Sequence, residues 1–458
     1  MIFPTCLDPF KLARQITERP QESKIEVSSL ADLCAKKVAQ IDRDNIFEYV
    51  RIITARPPKY AFQVSSLADL CAAKLPNIDL KDMPKNIRKA AADLIQVAAD
   101  VRKFQNIFAE VFQKPNPTQA DYNSALYRAA SIGDVNSILI ALEQGAEVEK
   151  EDLFQYPYIR SSSRDTALMV AARNGHTEVV KVLIRAGENI NHANYEGNWG
   201  DTPLIVAAQN GHTEVVKALI AAGANVDPGL HNRGGTALME AAYDGHTEVV
   251  KVLIRAGANV NYADNFGYTA LMKATYDGHT EVVKVLIRAG ANVNYADTSG
   301  YTALINAAYK GHTEVVKVLI RSGANVNNAS KNGYTALVCA VENGHIEIVK
   351  VLIGAGANVN HGAKAEVGYY GYTILMEAAK NGHTEVVKVL IGAAANVSHA
   401  AKEGYTALML AAKNGHTEVV KVLIMAGANV NHAAKNGYTA LKFAAEKDDT
   451  AIVQALIA

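Results

Sequence analysis

The chain has 458 residues, and its 46 Lys and Arg residues equal its 46 Asp and Glu residues, so the formal net charge is zero. This length exceeds one ordinary compact core, and the balanced charge argues against a bulk electrostatic attraction to nucleic acid or to anionic membranes. The four cysteines are too few for a disulfide framework, and none lies in a CxxC spacing that would indicate zinc. The absence of a secretory signal pattern and of a long apolar run favours a cytoplasmic protein without membrane insertion.

A segment near the N-terminus occurs twice, 37 residues apart. The nine residues VSSLADLCA stand at Val27–Ala35 and again at Val64–Ala72. Each copy begins with a Ser-x-x-Asp capping box, followed by apolar residues at positions i, i+3, i+4 and i+8. This spacing predicts two helices, each with one apolar face. The apolar positions are Leu30, Leu33, Cys34, Val38, Leu67, Leu70, Cys71 and Leu75.

Proline content divides the chain into two parts, because nine of the twelve prolines precede residue 120. We predict a helical N-terminal module over residues 1–115, which contains the two copies, and a linker over residues 116–120. The third segment, residues 121–458, is a predicted domain of ten repeats.

The repeats are built around the phrase GHTEVV, and most of them follow one another at 33 residues. In one unit, Thr269 is placed to cap a short first helix that Gly278 ends. Glu281 then opens a second, apolar-faced helix, and Gly290 ends it. A unit of this size cannot bury its apolar face alone, so neighbouring units must stack.

These units resemble the ankyrin repeat, with its pattern TPLHxAAxxGH, a second helix and GANVN. The proline of that pattern survives only at Pro203, and most units replace the histidine after the leucine by Met or Ile. The resemblance implies an all-α ankyrin-repeat solenoid with finger-like β-turns, here preceded by a small helical N-terminal domain. It also implies a concave face lined by fingers and first helices, a protein or peptide partner on that face, and neither an enzymatic activity nor a cofactor.

Positions that vary between the units predict the binding surface. Tyrosine precedes the capping threonine in six successive units, and three neighbouring units carry it near the end of the first helix. Tyrosine anchors many interfaces, although each finger tyrosine could equally pack on the next finger, and the lengthened fingers could be tolerated insertions. The predicted partner-binding residues are Trp199, Arg233, Glu240, Tyr243, Phe266, Tyr268, Lys273, Tyr276, Tyr301, Asn306, Tyr309, Tyr334 and Tyr372, with Cys339 and Glu377 continuing the variable first-helix series.

The eight GH histidines do not form a predicted metal site, since they recur one repeat apart and zinc needs ligands at about 2 Å. We assign them a structural role in the turns. Residues 1–115 contain no histidine that could activate Cys34 or Cys71 as a nucleophile. Phosphate-loop, HExxH and GxSxG motifs are also absent from the sequence, so an enzyme is not predicted.

The duplicated phrase resembles the BC-box of SOCS-box proteins, a helix that docks into elongin C. Met83 and Pro84 then fall in a segment similar to the SOCS-box tail that helps choose the cullin. The resemblance implies an adaptor that presents a bound protein to a cullin-type ubiquitin ligase, through elongin B/C or, in an F-box-like variant, through Skp1. The box departs from the family because it precedes the repeats and is doubled.

Two further interpretations stay open. The N-terminal helices can simply form a core, which would leave a pure scaffold or inhibitor. Nearly identical repeats joined to ligase-like helices are also similar to effectors that intracellular bacteria place in host cells, which would put the protein in the host cytosol.

Overall fold

A computed structural model describes residues 117–148, 165–194, 200–228, 235–362 and 371–458. The duplicated N-terminal segment, including every predicted adaptor-docking residue from Leu30 to Pro84, lies outside the described residues. So do Trp199 and Arg233.

The described residues contain twenty α-helices that alternate in ten hairpins, and the described ranges contain isolated β-bridges but no sheet. Odd numbers denote the first helix of a hairpin and even numbers the second. In chain order the helices are α1 Gln119–Ile132, α2 Val135–Glu143, α3 Ala167–Arg173, α4 Thr177–Arg185, α5 Pro203–Gln209, α6 Thr213–Ala221, α7 Ala237–Tyr243, α8 Thr247–Arg255, α9 Ala270–Tyr276, α10 Thr280–Arg288, α11 Ala303–Lys310, α12 Thr313–Arg321, α13 Ala336–Glu342, α14 Ile346–Gly354, α15 Ile374–Lys380, α16 Thr384–Gly392, α17 Ala407–Asn414, α18 Thr417–Met425, α19 Ala440–Glu446 and α20 Thr450–Ile457.

The local sequence explains where each hairpin begins and turns. Thr269 precedes α9, and its side-chain oxygen accepts a hydrogen bond from the backbone N–H of Met272 at 3.4 Å. This bond satisfies one of the N–H groups that a helix start leaves without a partner. After α9, Gly278 adopts the left-handed conformation with φ +80°, and α10 starts two residues later. The capping and turn residues predicted from the repeat are therefore observed.

The core lies between the stacked hairpins. Each first helix from α3 to α17 packs against the first helices of both neighbouring repeats and against its own second helix. In α9, Leu271, Met272 and Ala274 are buried, and in α10, Val282 and Leu286 are buried. Because each apolar face needs the adjacent repeat to cover it, the solenoid is stabilised by contacts between neighbours along the chain.

The fingers are the turns that join one hairpin to the next. In the finger before α9, Ala263 pairs with Thr269 in an antiparallel bridge, and equivalent bridges precede α11 and α13. Neighbouring fingers are hydrogen-bonded, since the N–H of Thr298 donates to the carbonyl of Phe266 at 3.0 Å. The fingers before α9, α11 and α13 are therefore joined to one another by backbone hydrogen bonds.

A ladder of asparagines also links the repeats. The side-chain oxygen of Asn261 accepts from the N–H of Asn292 at 2.7 Å, while its amide donates to the carbonyl of Gly290 at 3.1 Å. Asn294 makes the same pair of bonds to the following repeat, at 2.8 Å and 3.1 Å. Each ladder asparagine thus satisfies backbone groups of the next repeat.

One repeat breaks the pattern at the end of its second helix. Ala394 has φ +62° where the equivalent Gly356 and Gly427 have φ +87° and +85°. A Cβ atom makes this left-handed conformation unfavourable, so we expect Ala394→Gly to raise the free energy of unfolding by about 1 kcal/mol. Urea denaturation followed by circular dichroism would measure the change. The matched variant Gly427→Ala, whose Cβ would meet no atom within 4 Å, should lower it by a similar amount, and equal stability of all three proteins would contradict the prediction.

None of the helices in the described ranges combines the length and the hydropathy that a bilayer crossing requires.

Candidate interaction surface

The first helices and the fingers form one surface, called here the finger/first-helix face. Seven of the eight GH histidines hold its position, because the Nε2 atom of each donates to a carbonyl at the end of the first helix in the preceding repeat. His312, for example, bonds the carbonyl of Tyr276 at 3.0 Å, and His345 bonds that of Tyr309 at 3.2 Å. These bonds match the structural role predicted for the histidines. Among the described residues, no cluster of three or more His, Cys, Asp or Glu side chains is arranged to hold a metal ion.

Three tyrosines stand at the ends of neighbouring first helices. Tyr243 closes α7, Tyr276 closes α9, and Tyr309 is the penultimate residue of α11. Their side chains are 39%, 40% and 50% exposed, although every one is attached to a helix whose other face is fully buried. The structure thus leaves these tyrosines outside the core. They are available for contact with another molecule.

Lysines lie over the tyrosine rings. The Nζ atom of Lys273 is 5.6 Å from the ring centre of Tyr243 and 5.7 Å from that of Tyr268. The Nζ atom of Lys310 is 4.1 Å from the ring centre of Tyr276 and 5.8 Å from that of Tyr309. All four distances are within the range of cation–π attraction, which holds the rings and the ammonium groups together.

These contacts define one set of neighbouring side chains on the finger/first-helix face. Phe266, on the same finger as Tyr268, is 54% exposed and adds a further apolar ring. We call the set the aromatic strip. Its members are Tyr243, Phe266, Tyr268, Lys273, Tyr276, Tyr309 and Lys310.

The remaining finger tyrosines are less exposed than the strip. Tyr301 and Tyr334 stack on each other, with ring centres 6.5 Å apart. The ring centres of Tyr405 and Tyr438 lie 6.0 Å and 4.8 Å from the ring centre of Phe443. These rings pack along the finger edge. Tyr372 is likewise half-buried.

The side chains at the variable first-helix position differ in how far they are exposed. Glu240, Lys273, Asn306 and Glu377 are half-buried, with part of each side chain on the finger/first-helix face. Burial raises the pKa of the Glu240 carboxyl, and the nearby ammonium of Lys273 opposes that effect. Cys339 does not face the groove as predicted, because its short side chain is 2% exposed. Burial raises the pKa of its thiol to about 12, so it is not a reactive thiolate.

Beyond the strip, a glutamate replaces the first-helix tyrosine. Burial raises the pKa of the Glu342 carboxyl to about 7, the carboxylate of Glu377 adds to the effect, and Lys380 opposes it. Lys380 is itself paired with Glu377 at 2.8 Å. Glu342 is therefore the acidic group of this face whose charge changes near neutral pH.

The second helices present a different surface. Eight of them carry a Glu and Lys pair at i and i+3 with N–O distances of 2.6 or 2.7 Å, as in Glu281 and Lys284. The pairs are exposed and nearly identical from repeat to repeat, so they contribute little to stability individually. This surface carries paired charges and no exposed aromatic strip.

Lys310, Asp244 and Asp277 were missed by sequence reasoning. They occupy the residue after the first-helix tyrosine in successive repeats, and that position was treated only as a helix end. The sequence feature that could have indicated them is the change from Asp to Lys at this position between otherwise similar units. Their side chains are exposed beside the tyrosine rings.

Comparison with known proteins identifies the family. The model of the family described as ankyrin repeats matches residues 95–194, 126–229, 224–297, 290–363, 322–401 and 375–458. The chain belongs to the ankyrin-repeat family. The crystal structure of the human ASB11 ankyrin repeat domain is 31% identical to the chain, covers 49% of this chain and 97% of its own, and superposes with a TM-score of 0.43. A search of curated proteins finds no match.

The predicted ankyrin-repeat solenoid is thus confirmed for the described residues. Ankyrin repeats form protein-interaction scaffolds and typically have no enzymatic activity. On this ankyrin domain, the finger/first-helix face carries the exposed aromatic side chains and the second helices carry paired charges. The two surfaces are therefore chemically distinct.

Proposed function

We propose that the chain is a non-enzymatic adaptor that recruits a protein partner on the finger/first-helix face, centred on the aromatic strip. The observation that supports this proposal is the exposure of five aromatic side chains in adjacent repeats, Tyr243, Phe266, Tyr268, Tyr276 and Tyr309, between 36% and 54%. Large rings that the core does not need are unusual on a soluble surface, and they mark interaction sites when they cluster.

Tyrosine suits this role for two reasons. Its ring buries a large area with few rotatable bonds, and its hydroxyl can pair with backbone groups of a partner. The lysines over the rings hold the strip in place before a partner arrives, which reduces the entropy lost on binding.

A test of recruitment compares three immobilised proteins as baits in a cell extract. They are the full chain, the strip variant Tyr243→Ser/Tyr276→Ser/Tyr309→Ser, and the control Tyr262→Ser/Tyr295→Ser, which changes two half-buried tyrosines elsewhere in the repeats. We expect one or more proteins, identified by mass spectrometry, to be retained by the wild type and the control and lost by the strip variant. Retention by all three baits would contradict the proposal.

The predicted N-terminal helices would supply a second proposed activity, docking to a cullin-type ubiquitin ligase through elongin B/C or Skp1. Its support is the duplicated phrase VSSLADLCA, whose spacing predicts two capped helices with an apolar face. The protein would act in the cytosol, a host's cytosol if it is a translocated effector. If the helices only form a core, the protein is a pure scaffold or inhibitor.

The docking proposal has a direct test. The purified chain is mixed with the elongin B/C pair and, separately, with Skp1, and the mixtures are run on a size-exclusion column. Co-elution that the Leu30→Asp/Leu67→Asp variant loses would support docking. If neither adaptor co-elutes with the wild type, docking is wrong and the scaffold remains.

A further inference from the structure

The residue after each first-helix tyrosine differs in charge along the aromatic strip. It is Asp244 in the first of the three repeats, Asp277 in the second and Lys310 in the third. Lys310 reaches back to the preceding repeat and places its ammonium 4.1 Å from the ring centre of Tyr276. A cation supplied by the next repeat therefore covers the ring of Tyr276.

Tyr243 is the equivalent tyrosine one repeat earlier. The next repeat supplies an acidic residue there, instead of the lysine that it supplies to Tyr276. The residue equivalent to Lys310 is Asp277, whose carboxylate is the main cause that raises the pKa of Tyr243, followed by burial and by Asp244. Asp277 and Asp244 are exposed. Burial is the main cause that raises the pKa of Asp244, the imidazoles of His246 and His279 oppose it, and the charge of Asp277 adds to it. Tyr243 thus has two carboxylates nearby and an ammonium, that of Lys273, only at 5.6 Å from its ring centre, whereas the ammonium over Tyr276 lies at 4.1 Å.

The two nearby lysines of the chain leave this place open. Lys273 approaches Tyr243 only to 5.6 Å and is shared with the ring of Tyr268 and with the Glu240 carboxylate. Lys310 is drawn mainly to Tyr276, and Asp277 attracts it more weakly. Among the described residues, neither Asp244 nor Asp277 forms an ion pair of the kind seen on the second helices.

We infer that Tyr243, Asp244 and Asp277 bind a basic side chain, preferably arginine, of the partner segment that the aromatic strip recruits. The inference rests on the proposed function and names the chemistry of its partner. A guanidinium is planar, stacks on a tyrosine ring and pairs with carboxylates at the same time, which a lysine does less well. Within the chain, the Lys310 ammonium over the ring of Tyr276 shows the same kind of contact between a cation and a tyrosine ring.

The spacing of the repeats extends the inference along the partner. Packed helices lie about 8–10 Å apart, and an extended chain advances about 3.3 Å per residue. A partner segment that crosses the first helices therefore moves three residues per repeat. The Lys310 ammonium lies over the ring of Tyr276, one repeat beyond the ring of Tyr243, so an acidic residue about three positions from the basic one fits it. The partner is an extended segment with this pair of opposite charges.

The experiment selects binders of the full chain from a displayed library of random twelve-residue peptides and measures single peptides by fluorescence anisotropy. Three variants are compared with the wild type: the strip variant, Asp277→Lys and Asp277→Asn. Lysine already occupies the equivalent position at Lys310 and Lys447, so Asp277→Lys is compatible with the fold, which circular dichroism checks. In Asp277→Lys the chain supplies its own cation to Tyr243.

We expect the selected peptides to contain an arginine and, three positions away, an acidic residue. Their affinity should fall about tenfold or more in Asp277→Lys and less in Asp277→Asn. Peptides that need the strip tyrosines but lack a basic residue, or that bind Asp277→Lys as tightly as the wild type, would overturn the inference and leave the proposed function standing. Peptides that bind the strip variant undiminished would count against the proposed function itself.

Discussion

Gly278→Ala is expected to lower the free energy of unfolding by about 3 kcal/mol. The residue has φ +80°, which disfavours any side chain by about 1 kcal/mol. The new Cβ would also lie 2.6 Å from Nδ1 of His312. Moving the ring would break its hydrogen bond to the carbonyl of Tyr276, which adds about 1–3 kcal/mol.

The same repeat provides a control for the backbone conformation. Gly290 has φ +90°, and a Cβ there would meet no atom within 4 Å. Gly290→Ala should therefore lower the free energy of unfolding by about 1 kcal/mol only. Urea denaturation of both variants separates the steric part from the conformational part. Equal losses of stability in Gly278→Ala and Gly290→Ala would show that the ring of His312 can be displaced without a cost in free energy.

A double-mutant cycle identifies the partner of the clash. In a His312→Ala background the ring is gone, so Gly278→Ala should lower the free energy of unfolding by no more than Gly290→Ala does. The cycle also bears on function, because His312 fixes the end of the helix that presents Tyr276. We expect Gly278→Ala to disturb the aromatic strip as well as the stability.

The repeat sequence was sufficient to predict the helices and their order. Thr269, Gly278 and Gly290 determine where helices start and end through local geometry, and the same signals recur in each unit. Stacking followed because one hairpin cannot bury its own apolar face. These features depend on residues close together in the sequence and on the recurrence of one unit, so the sequence alone reveals them.

The details of the binding surface depend on contacts between repeats, which the sequence does not display. Lys310 acquires its role only because its side chain reaches the ring of Tyr276 in the preceding repeat. The burial of Cys339, at the variable first-helix position, could likewise not be predicted from the sequence. Long polar side chains such as Lys273 extend from this position to the surface, whereas a short thiol stays buried between the helices.

Replacing Glu342 with glutamine is expected to stabilise the protein at neutral and alkaline pH. Burial and the charge of Glu377 raise the pKa of this carboxyl from 4.5 to about 7. The folded protein therefore binds the proton more tightly than the unfolded chain does. The stability that this group contributes is fully present below about pH 4.5 and is lost as the pH rises through about 7.

The size of the effect follows from the shift and from the partial exposure of Glu342. We expect Glu342→Gln to raise the free energy of unfolding at pH 8 by about 1–2 kcal/mol and to leave it nearly unchanged at pH 4.5. Denaturation curves of the wild type and the variant across this pH range measure the difference. Other buried carboxyls with a raised pKa, such as Glu240, titrate in both proteins and cancel in the comparison.

Glu347→Gln is the matched control. This residue lies on the second helix of the same repeat, is exposed, and pairs with Lys350 at 2.7 Å. Removing an exposed pair should lower stability by less than about 0.5 kcal/mol at pH 8. A stabilisation by Glu342→Gln that persists at pH 4.5 would mean that the amide packs better than the carboxyl. In that case the charge near Glu377 is not the cause, and the pH dependence assigned to Glu342 is wrong.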